Sequence, residues 1–296
     1  MKILIADSGS TKTDWALVGD HGEVVMTCKT QGINPIHQQD QDILDILCKE
    51  LVLSEQPRAV YFYGSGVTEA MKPRIKSLLQ QAFPEAKIEA EGDMLGAARA
   101  LFGKKPGIAC ILGTGANSCL YDGERIVLNT PPLGYILGDE GSGAVLGKLF
   151  LNGIFKGTLP SSLKKKYLEW SGLDYPSIIN KVYREPLANR FLASICPFIS
   201  QSIAESEKYE NGSDELNEGM ALYRMMLGSF NQFYENNITP YIIYDKLEVG
   251  DIGFVGSIAH YFESPLRNVI EDEHHLKITS ILQAPMAGLV KYHAQK

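Results

Sequence analysis

Asp7, Asp93 and Asp139 each stand where the chain turns to glycine, serine or other small residues, a setting in which a carboxylate can meet a metal ion, a phosphate or a hydroxyl. Asp7 closes the apolar run Ile3-Leu4-Ile5-Ala6 and leads into Ser8-Gly9-Ser10-Thr11-Lys12. A carboxylate buried at such a strand end is costly without a partner. Mg²⁺, held mostly through water, would supply one, because it binds through one or two carboxylates together with substrate phosphates. The competing reading is a turn aspartate bonded to its own backbone. The backbone amides of Gly9, Ser10 and Thr11, with the hydroxyls beside them, suit an anion-binding concavity. Lys12 is the one cation in that turn, placed either to neutralise a phosphate oxygen or simply to be an exposed hairpin lysine.

These residues need elements to hold them. Trp15-Ala16-Leu17-Val18 follows the first glycine turn and is bounded by Gly19 and Gly22, so the turn joins two strands and does not open a helix. Neither GxGxxG nor GxxxxGK[ST] occurs there, which sets this turn apart from dinucleotide and P-loop sites. The same grammar returns about a hundred residues later. Ile108 to Leu112 leads into Gly113-Thr114-Gly115-Ala116-Asn117-Ser118, a second strand turns at Asp122-Gly123, and Arg125 to Leu128 closes the unit. Two copies of strand, glycine hairpin, strand, turn, strand amount to an internal repeat. Two like lobes, each offering a glycine turn, would grip a polyphosphate from both sides.

Between the copies, Ile43 to Leu51 carries a helical apolar stripe, Ala59 to Tyr63 is a buried strand, and Thr68 is expected to cap a helix from Glu69 to about Phe83. Lys87 to Ala90 is a fifth strand and Met94 to Leu101 a helix. Beyond the second copy, 159–209 reads as helical without strand pattern, and a long helix runs from about Glu215 to Phe233. A strand at Asp251 to Val255, a helix from Ser257 to Val269, a strand at Leu276 to Ile281 and a helix entered at Pro285 complete the chain.

Asp7-Ser-Gly-Ser-Thr-Lys-Thr-Asp14, Leu112-Gly-Thr-Gly-Ala-Asn-Ser118, Leu137-Gly-Asp-Glu-Gly-Ser142 and Val255-Gly-Ser-Ile-Ala259 occur in this order. Together they resemble the N-acetylglucosamine kinase and BadF/BadG/BcrA/BcrD-type ATPase family of the sugar kinase, actin and heat-shock chaperone superfamily. The resemblance spans essentially the whole chain, and the Gly-Asp-Glu-Gly-Ser segment narrows it to this family. It implies an α/β, duplicated ribonuclease-H-like (actin-like ATPase) fold of two lobes with a central cleft, each lobe a mixed five-stranded sheet flanked by helices. The lobes would be 1–105, joined by the last helix at 284–296, and 106–283 with a helical insertion at about 159–238. The activity implied is ATP-dependent phosphorylation of an amino sugar, N-acetylglucosamine giving N-acetylglucosamine 6-phosphate, with ATP and Mg²⁺ as cofactors.

Phosphoryl transfer to an alcohol requires a phosphate cradle, magnesium, an acceptor pocket and a base at the acceptor hydroxyl. By resemblance the cradle is Gly9, Ser10, Thr11 and Lys12 with Gly113, Thr114 and Gly115. Asp93, between a strand and a small-residue helix, matches the aspartate that takes the sugar proton in such kinases; N-capping is its competing role. Asn34, in a Gly-x-Asn loop, and Asp139, read as beginning a helix that runs on through Leu146, Leu149 and Phe150, are nominated for the sugar, with Glu140 assisting. Asn117 and Ser118 are placed to meet phosphate or sugar. Gly256 and Ser257 resemble the adenosine motif, although a strand-to-helix glycine turn is often only structural. The segment Pro132-Leu133-Gly134-Tyr135-Ile136-Leu137 departs from animal-type relatives: it lacks their tryptophan, and Tyr135 stands in place of a histidine.

Composition narrows the classes further. A net charge of −7, with no basic stripe beyond Lys164-Lys165-Lys166, argues against nucleic acid. No apolar run approaches a membrane span, and none with a basic flank leads the chain, so a soluble cytoplasmic protein is expected. Five cysteines without CxxC spacing and six histidines without HExxH spacing signal neither a zinc site nor an iron–sulfur cluster. A homodimer is the association that relatives suggest. The alternatives are a kinase for another hexosamine such as glucosamine, a BadF-type ATPase whose nucleotide-driven closure acts on a protein partner, and a sugar sensor without catalysis.

Overall fold

The structure, a computed structural model, describes residues 2–9, 11–209, 213–244 and 250–294. Its strands are β1 (Ile3–Ser8), β2 (Lys12–Val18), β3 (Val24–Gln31), β4 (Ala59–Gly64), β5 (Lys87–Gly92), β6 (Gly107–Leu112), β7 (Ala116–Tyr121), β8 (Ile126–Asn129), β9 (Asp251–Val255) and β10 (Lys277–Leu282). They form two five-stranded sheets, ordered β3-β2-β1-β4-β5 and β10-β9-β6-β7-β8. Read from its other edge, the second order is the first with each strand number raised by five. The repeat seen in the sequence is thus a repeat of topology, the duplicated ribonuclease-H-like arrangement.

In the first sheet β1, β2 and β3 form an antiparallel meander, while β1, β4 and β5 run parallel. The central parallel strands are covered on both faces and therefore read as nearly continuous apolar runs. Leu4, Ala6, Trp15, Leu17, Val60 and Phe62 pack on one face with helices α1 (Asp40–Asp45) and α2 (Lys72–Ala82). Ile5, Ala16, Val18 and Tyr63 pack on the other with Leu289 of the last helix. The β1/β4 and β4/β5 registers set Ser8, Gly64 and Gly92 in line. The carboxyl ends of three parallel strands therefore share one edge, where open α/β sheets bind ligands.

The remaining helices are α3 (Asp93–Phe102), α4 (Gly134–Leu137), α5 (Gly143–Lys156), α6 (Ser161–Ser171), α7 (Tyr175–Tyr183), α8 (Ala188–Ala193), α9 (Cys196–Ser206), α10 (Asp214–Phe233), α11 (Thr239–Ile243), α12 (Ser257–Tyr261), α13 (Glu263–Arg267) and α14 (Met286–Ala294). By internal contacts the chain divides into two compact units. The first is Met1–Ala109 with Tyr121–Val127 and Ala284–Lys296; the second is Cys110–Leu120 with Leu128–Gln283. In the first unit α14 lies so close to α3 that a Cβ on Gly288 would stand 2.4 Å from the Ala100 carbonyl oxygen. His293 Nε2 shares a 2.9 Å hydrogen bond with Tyr63 Oη, and its ring stacks on Tyr61. Arg99 donates to Tyr63 Oη at 2.7 Å and to Glu89 at 2.6 Å.

Three helix expectations need correction. The α2 helix starts at Lys72, not Glu69, and Thr68 makes no side-chain cap; Pro73 in the first turn fixes the start. Ser257 to Val269 is not one helix. Pro265 has no N–H to return to Tyr261, and the chain breaks at Phe262 into α12 and α13, followed by a π-helical turn at Asn268–Glu273. Asp139 does not begin a helix. It sits at φ 57° in the left-handed region, which aspartate tolerates, and Ser142 is the cap of α5, accepting from the Val145 amide at 3.2 Å.

Candidate functional site

In the first unit the glycine turn is tied to its surroundings through Ser8. This serine is fully buried. Its hydroxyl lies 2.7 Å from Thr13 Oγ1 and accepts from the Ile33 amide at 3.0 Å. Its carbonyl accepts from the Ser65 amide at 2.8 Å. One residue thereby holds the turn, the loop carrying Asn34 and the loop after β4. The Gly9 amide closes the turn on the Lys12 carbonyl at 3.0 Å. Ser10, nominated for the cradle, lies outside the described residues. Thr11 is exposed, and its carbonyl accepts from the Gly32 amide at 3.1 Å.

Asp7 and Asp14 are directly opposed across the β1/β2 ladder, where like charges are unfavourable. Lys12 bridges to Asp14 at 2.6 Å. Burial first, then the charges of Asp93 and Asp14, push Asp7 up to about 7, with Lys12 opposing. Burial likewise raises Asp93, against hydrogen bonds from its own amide and that of Met94, the latter at 2.9 Å. Asp93 is the first residue of α3, whose cap position is Gly92; its carboxylate bonds the amide next to it and caps nothing further along. The result is a cluster of carboxyl groups at the carboxyl ends of β1 and β5, compensated by Lys12 and by Lys29, which lies 3.8 Å from the other Asp14 oxygen.

Asn34 is buried, and its loop is internally bonded: Oδ1 accepts from the Ile36 amide at 3.0 Å, and the Asn34 amide donates to Gln38 Oε1 at 2.7 Å. Gly66, at φ 78°, lies against it; a Cβ there would come 2.4 Å from Asn34 Oδ1. The next residue reaches the other side of the site, since the Val67 carbonyl would be 3.4 Å from a Cβ on Gly92. The loop after β4 thus adjoins both Asn34 and the entry to Asp93.

In the second unit Gly113, Thr114 and Gly115 form the equivalent turn. The Gly113 amide closes on the Gly115 carbonyl at 2.9 Å. The first amides of α5 dock onto it, Gly143 N to Gly113 O at 2.8 Å and Ala144 N to Thr114 O at 3.1 Å. Asp139 lies over the same turn: its carboxylate accepts from the Ala116 amide, and a Cβ on Gly115 would stand 2.9 Å from Asp139 Oδ2. Burial raises Asp139, and the neighbouring Glu140 adds to this. Gly256, at φ 128°, presses onto the same place, its Cβ position only 2.1 Å from the Leu112 carbonyl oxygen. That contact accounts for a glycine here by chain packing; Ser257 beside it is exposed.

Three nominated polar residues of this unit are occupied. Ser118 is not in the turn: β7 begins at Ala116, so Ser118 faces inward, fully buried, with its hydroxyl 2.7 Å from Tyr241 Oη. Asn117 Oδ1 accepts from Asn129 Nδ2 at 2.9 Å and from the Ser118 amide. Glu140 accepts from Asn236 Nδ2 at 2.9 Å. A polar cavity of about 540 Å³ lined by Arg99, Lys104, Asp122, Gly123, Glu124 and Tyr292 includes none of the nominated residues.

Sequence reasoning missed Asp14, Gly66 and Gln38. Asp14 was legible in principle, because Asp7 and Asp14 stand symmetrically about a hairpin and must pair. Gly66 and Gln38 act through contacts that spacing does not reveal.

Among the described residues no three histidine, cysteine, aspartate or glutamate side chains are grouped to hold a metal. Any divalent ion here takes most of its ligands from water or a bound phosphate. The excess of carboxylate at Asp7 fits such an ion in its charge. Among the described residues no helix is long and apolar enough to cross a membrane.

No family model and no curated protein sequence matches the chain. Solved structures do. A Porphyromonas gingivalis protein provisionally named N-acetylglucosamine kinase is 43% identical, with 99% of each chain covered and a TM-score of 0.89. A Chromobacterium violaceum protein with the same provisional name is 18% identical over 98% of each chain, TM-score 0.68. A ROK family glucokinase from Streptomyces griseus, in complex with glucose and AMPPNP, is 13% identical over 99% of this chain and 98% of its own, TM-score 0.55. The last two are likenesses of fold alone.

Proposed function

Because the chain belongs to the N-acetylglucosamine kinase and BadF/BadG-type ATPase family, we propose that it transfers the γ-phosphoryl group of ATP to a hydroxyl of an amino sugar, the 6-hydroxyl of N-acetylglucosamine being the leading acceptor. The observation that carries this reading is the gathering, at one sheet edge of the first unit, of Asp7, Asp93 and the loop that presents Asn34.

Asp93 takes the acceptor proton as the oxygen attacks phosphorus. Burial raises its basicity, and its place at the head of α3 fixes its direction. Asn34 receives the sugar. With its amide, carbonyl and Oδ1 already engaged, its Nδ2 is the group left to donate to a sugar hydroxyl. Asp139 bonds a second hydroxyl. Gly9, Ser10, Thr11 and Lys12 from the first turn and Gly113, Thr114 and Gly115 from the second would bind the phosphates of ATP, and Gly256 and Ser257 its adenosine. Magnesium, held at Asp7 through water, would add positive charge against the phosphates.

ADP release with Mg·ATP and a panel of N-acetylglucosamine, glucosamine and glucose tests the reading. We expect the acetylated sugar to stimulate turnover most; if no sugar raises the rate above that with ATP alone, the reading fails. Asp93→Asn should lower kcat by about 10³-fold while calorimetry still detects sugar binding.

A further inference from the structure

We propose that Arg74, together with Gln38, is the positioning system for the acceptor-binding Asn34, so that the affinity for sugar is set from helix α2, outside the residues that touch it. The inference rests on the reading of Asn34 given above.

The loop 32–38 connects β3 to α1 and has no regular structure to fix it. Besides Ser8 at Ile33 and the loop's own bonds to Asn34, two side chains bind its backbone. Gln38 folds back along the loop, accepting from the Asn34 amide at 2.7 Å and donating to the Gly32 carbonyl at 2.9 Å. Arg74, in the first turn of α2, spans the loop's far side. Its Nη1 donates to the Pro35 carbonyl and its Nη2 to the Gln38 carbonyl at 2.8 Å. Its Nε donates to Asp40 Oδ1 at 2.6 Å. The guanidinium thus grips carbonyls on both sides of the exposed Ile36-His37 tip and anchors itself to the first residue of α1.

Only a planar, forked donor can make these bonds at once. A lysine at this position has three donors, but all on one nitrogen, without the planar spread that lets the guanidinium reach Asp40 and two separate carbonyls. Pro35 sharpens the need, because the residue after Asn34 contributes no N–H of its own to the loop. Behind the loop, Gly66 leaves no room for Asn34 to swing away. Asn34 is thereby held between a wall at Gly66, in the loop after β4, and a clamp at Arg74, in the first turn of α2.

Displacing a sugar-binding amide by about 1 Å is enough to cost orders of magnitude in productive binding. The test is steady-state kinetics of the full chain with N-acetylglucosamine and ATP varied separately. Arg74→Ala should raise the KM for sugar about tenfold to a hundredfold, with the KM for ATP unchanged; Arg74→Lys should recover part of the loss. In an Asn34→Ala background, Arg74→Ala should change the sugar KM by less than about twofold, because both act through one contact.

Equal rises in the two KM values, or losses that multiply in the double variant, would overturn the clamp. So would a sugar KM that Asn34→Ala leaves unchanged while sugar still stimulates turnover, and in that case the kinase reading stands. If no sugar stimulates turnover at all, the kinase reading has failed first and the inference falls with it.

Discussion

The two glycine turns share a sequence grammar but are held by different physics. The first, at Gly9, adds side chains to its backbone bonds: the Ser8 hydroxyl bonds Thr13 and the Asn34 loop, and around Gly9 itself the space is open, with the nearest atom to a Cβ there the Lys12 oxygen at 3.7 Å. The second, at Gly113 to Gly115, is fixed by backbone. The α5 amides fill its carbonyls, Gly256 lies on Leu112, and Asp139 covers Gly115. The first turn therefore tolerates change in shape but is charged, with Asp7 and Asp14 facing each other. The second is rigid, with its charge confined to one bonded aspartate. A repeat in sequence conserves the path of the chain, not the forces that stabilise it.

Substitutions at the glycines can break this contrast. Gly256→Ala should have the largest effect, because a methyl would sit 2.1 Å from a backbone oxygen that cannot move, at a φ that alanine avoids. We expect a loss of about 3 kcal/mol or more, read as a fall in Tm or in soluble yield. If Gly256→Ala is as stable as the parent, the backbone-built account of the second turn is wrong.

The charge of the first turn gives the next effect. Asp7 is raised to about 7, from 3.8 in the unfolded chain. Between pH 4 and pH 7 the native state thus binds more protons than the unfolded one, and this group's contribution to stability declines as pH rises through that window. Below about pH 4 both states are protonated, and well above pH 7 both are ionised, so the contribution is flat outside it. Thermal melts of the ligand-free protein should show the decline, and Asp7→Asn should remove it. Mg²⁺ added with ADP should lessen it, since a cation beside the carboxylate favours its ionised form. An unchanged slope in Asp7→Asn would assign the pH dependence elsewhere.

The smallest effects sharpen the comparison. Gly115→Ala must displace the Asp139 carboxylate, a flexible group, and should cost about 1 kcal/mol in stability while raising the KM for ATP or sugar several-fold. Gly9→Ala meets no atom closer than ordinary contact and should stay within about 0.5 kcal/mol of the parent. Equal costs at the two positions would mean that the turns are held alike.

The strands and their duplication were legible because apolar runs punctuated by Gly, Asp and Ser are strong local signals, and every strand expected is present. The parts that were not legible depend on contacts distant in sequence. Nothing near Ser118 announces the hydroxyl of Tyr241, more than a hundred residues away. The entry to α5 was misplaced because Asp139 looks like a helix-opening acid. Ser142, a better cap by residue type, has its position decided by the left-handed turn at Asp139 and Gly141. The choice between Asp93 as base and as cap was open in sequence; the structure narrows it, since Gly92 is the cap and the Asp93 carboxylate bonds only the amides beside it.

The docking of α14 onto the first sheet has a consequence for how the molecule is made. Leu289 fills a core otherwise built from Ile5, Ala16, Val18 and Tyr63, and His293 reaches Tyr63 itself. A ribosome has to deliver the whole second unit before that helix emerges. At ~5–20 residues per second the first sheet then waits on the order of ten seconds with that apolar face covered by α3 alone. During synthesis the part of the protein that starts first is therefore finished last.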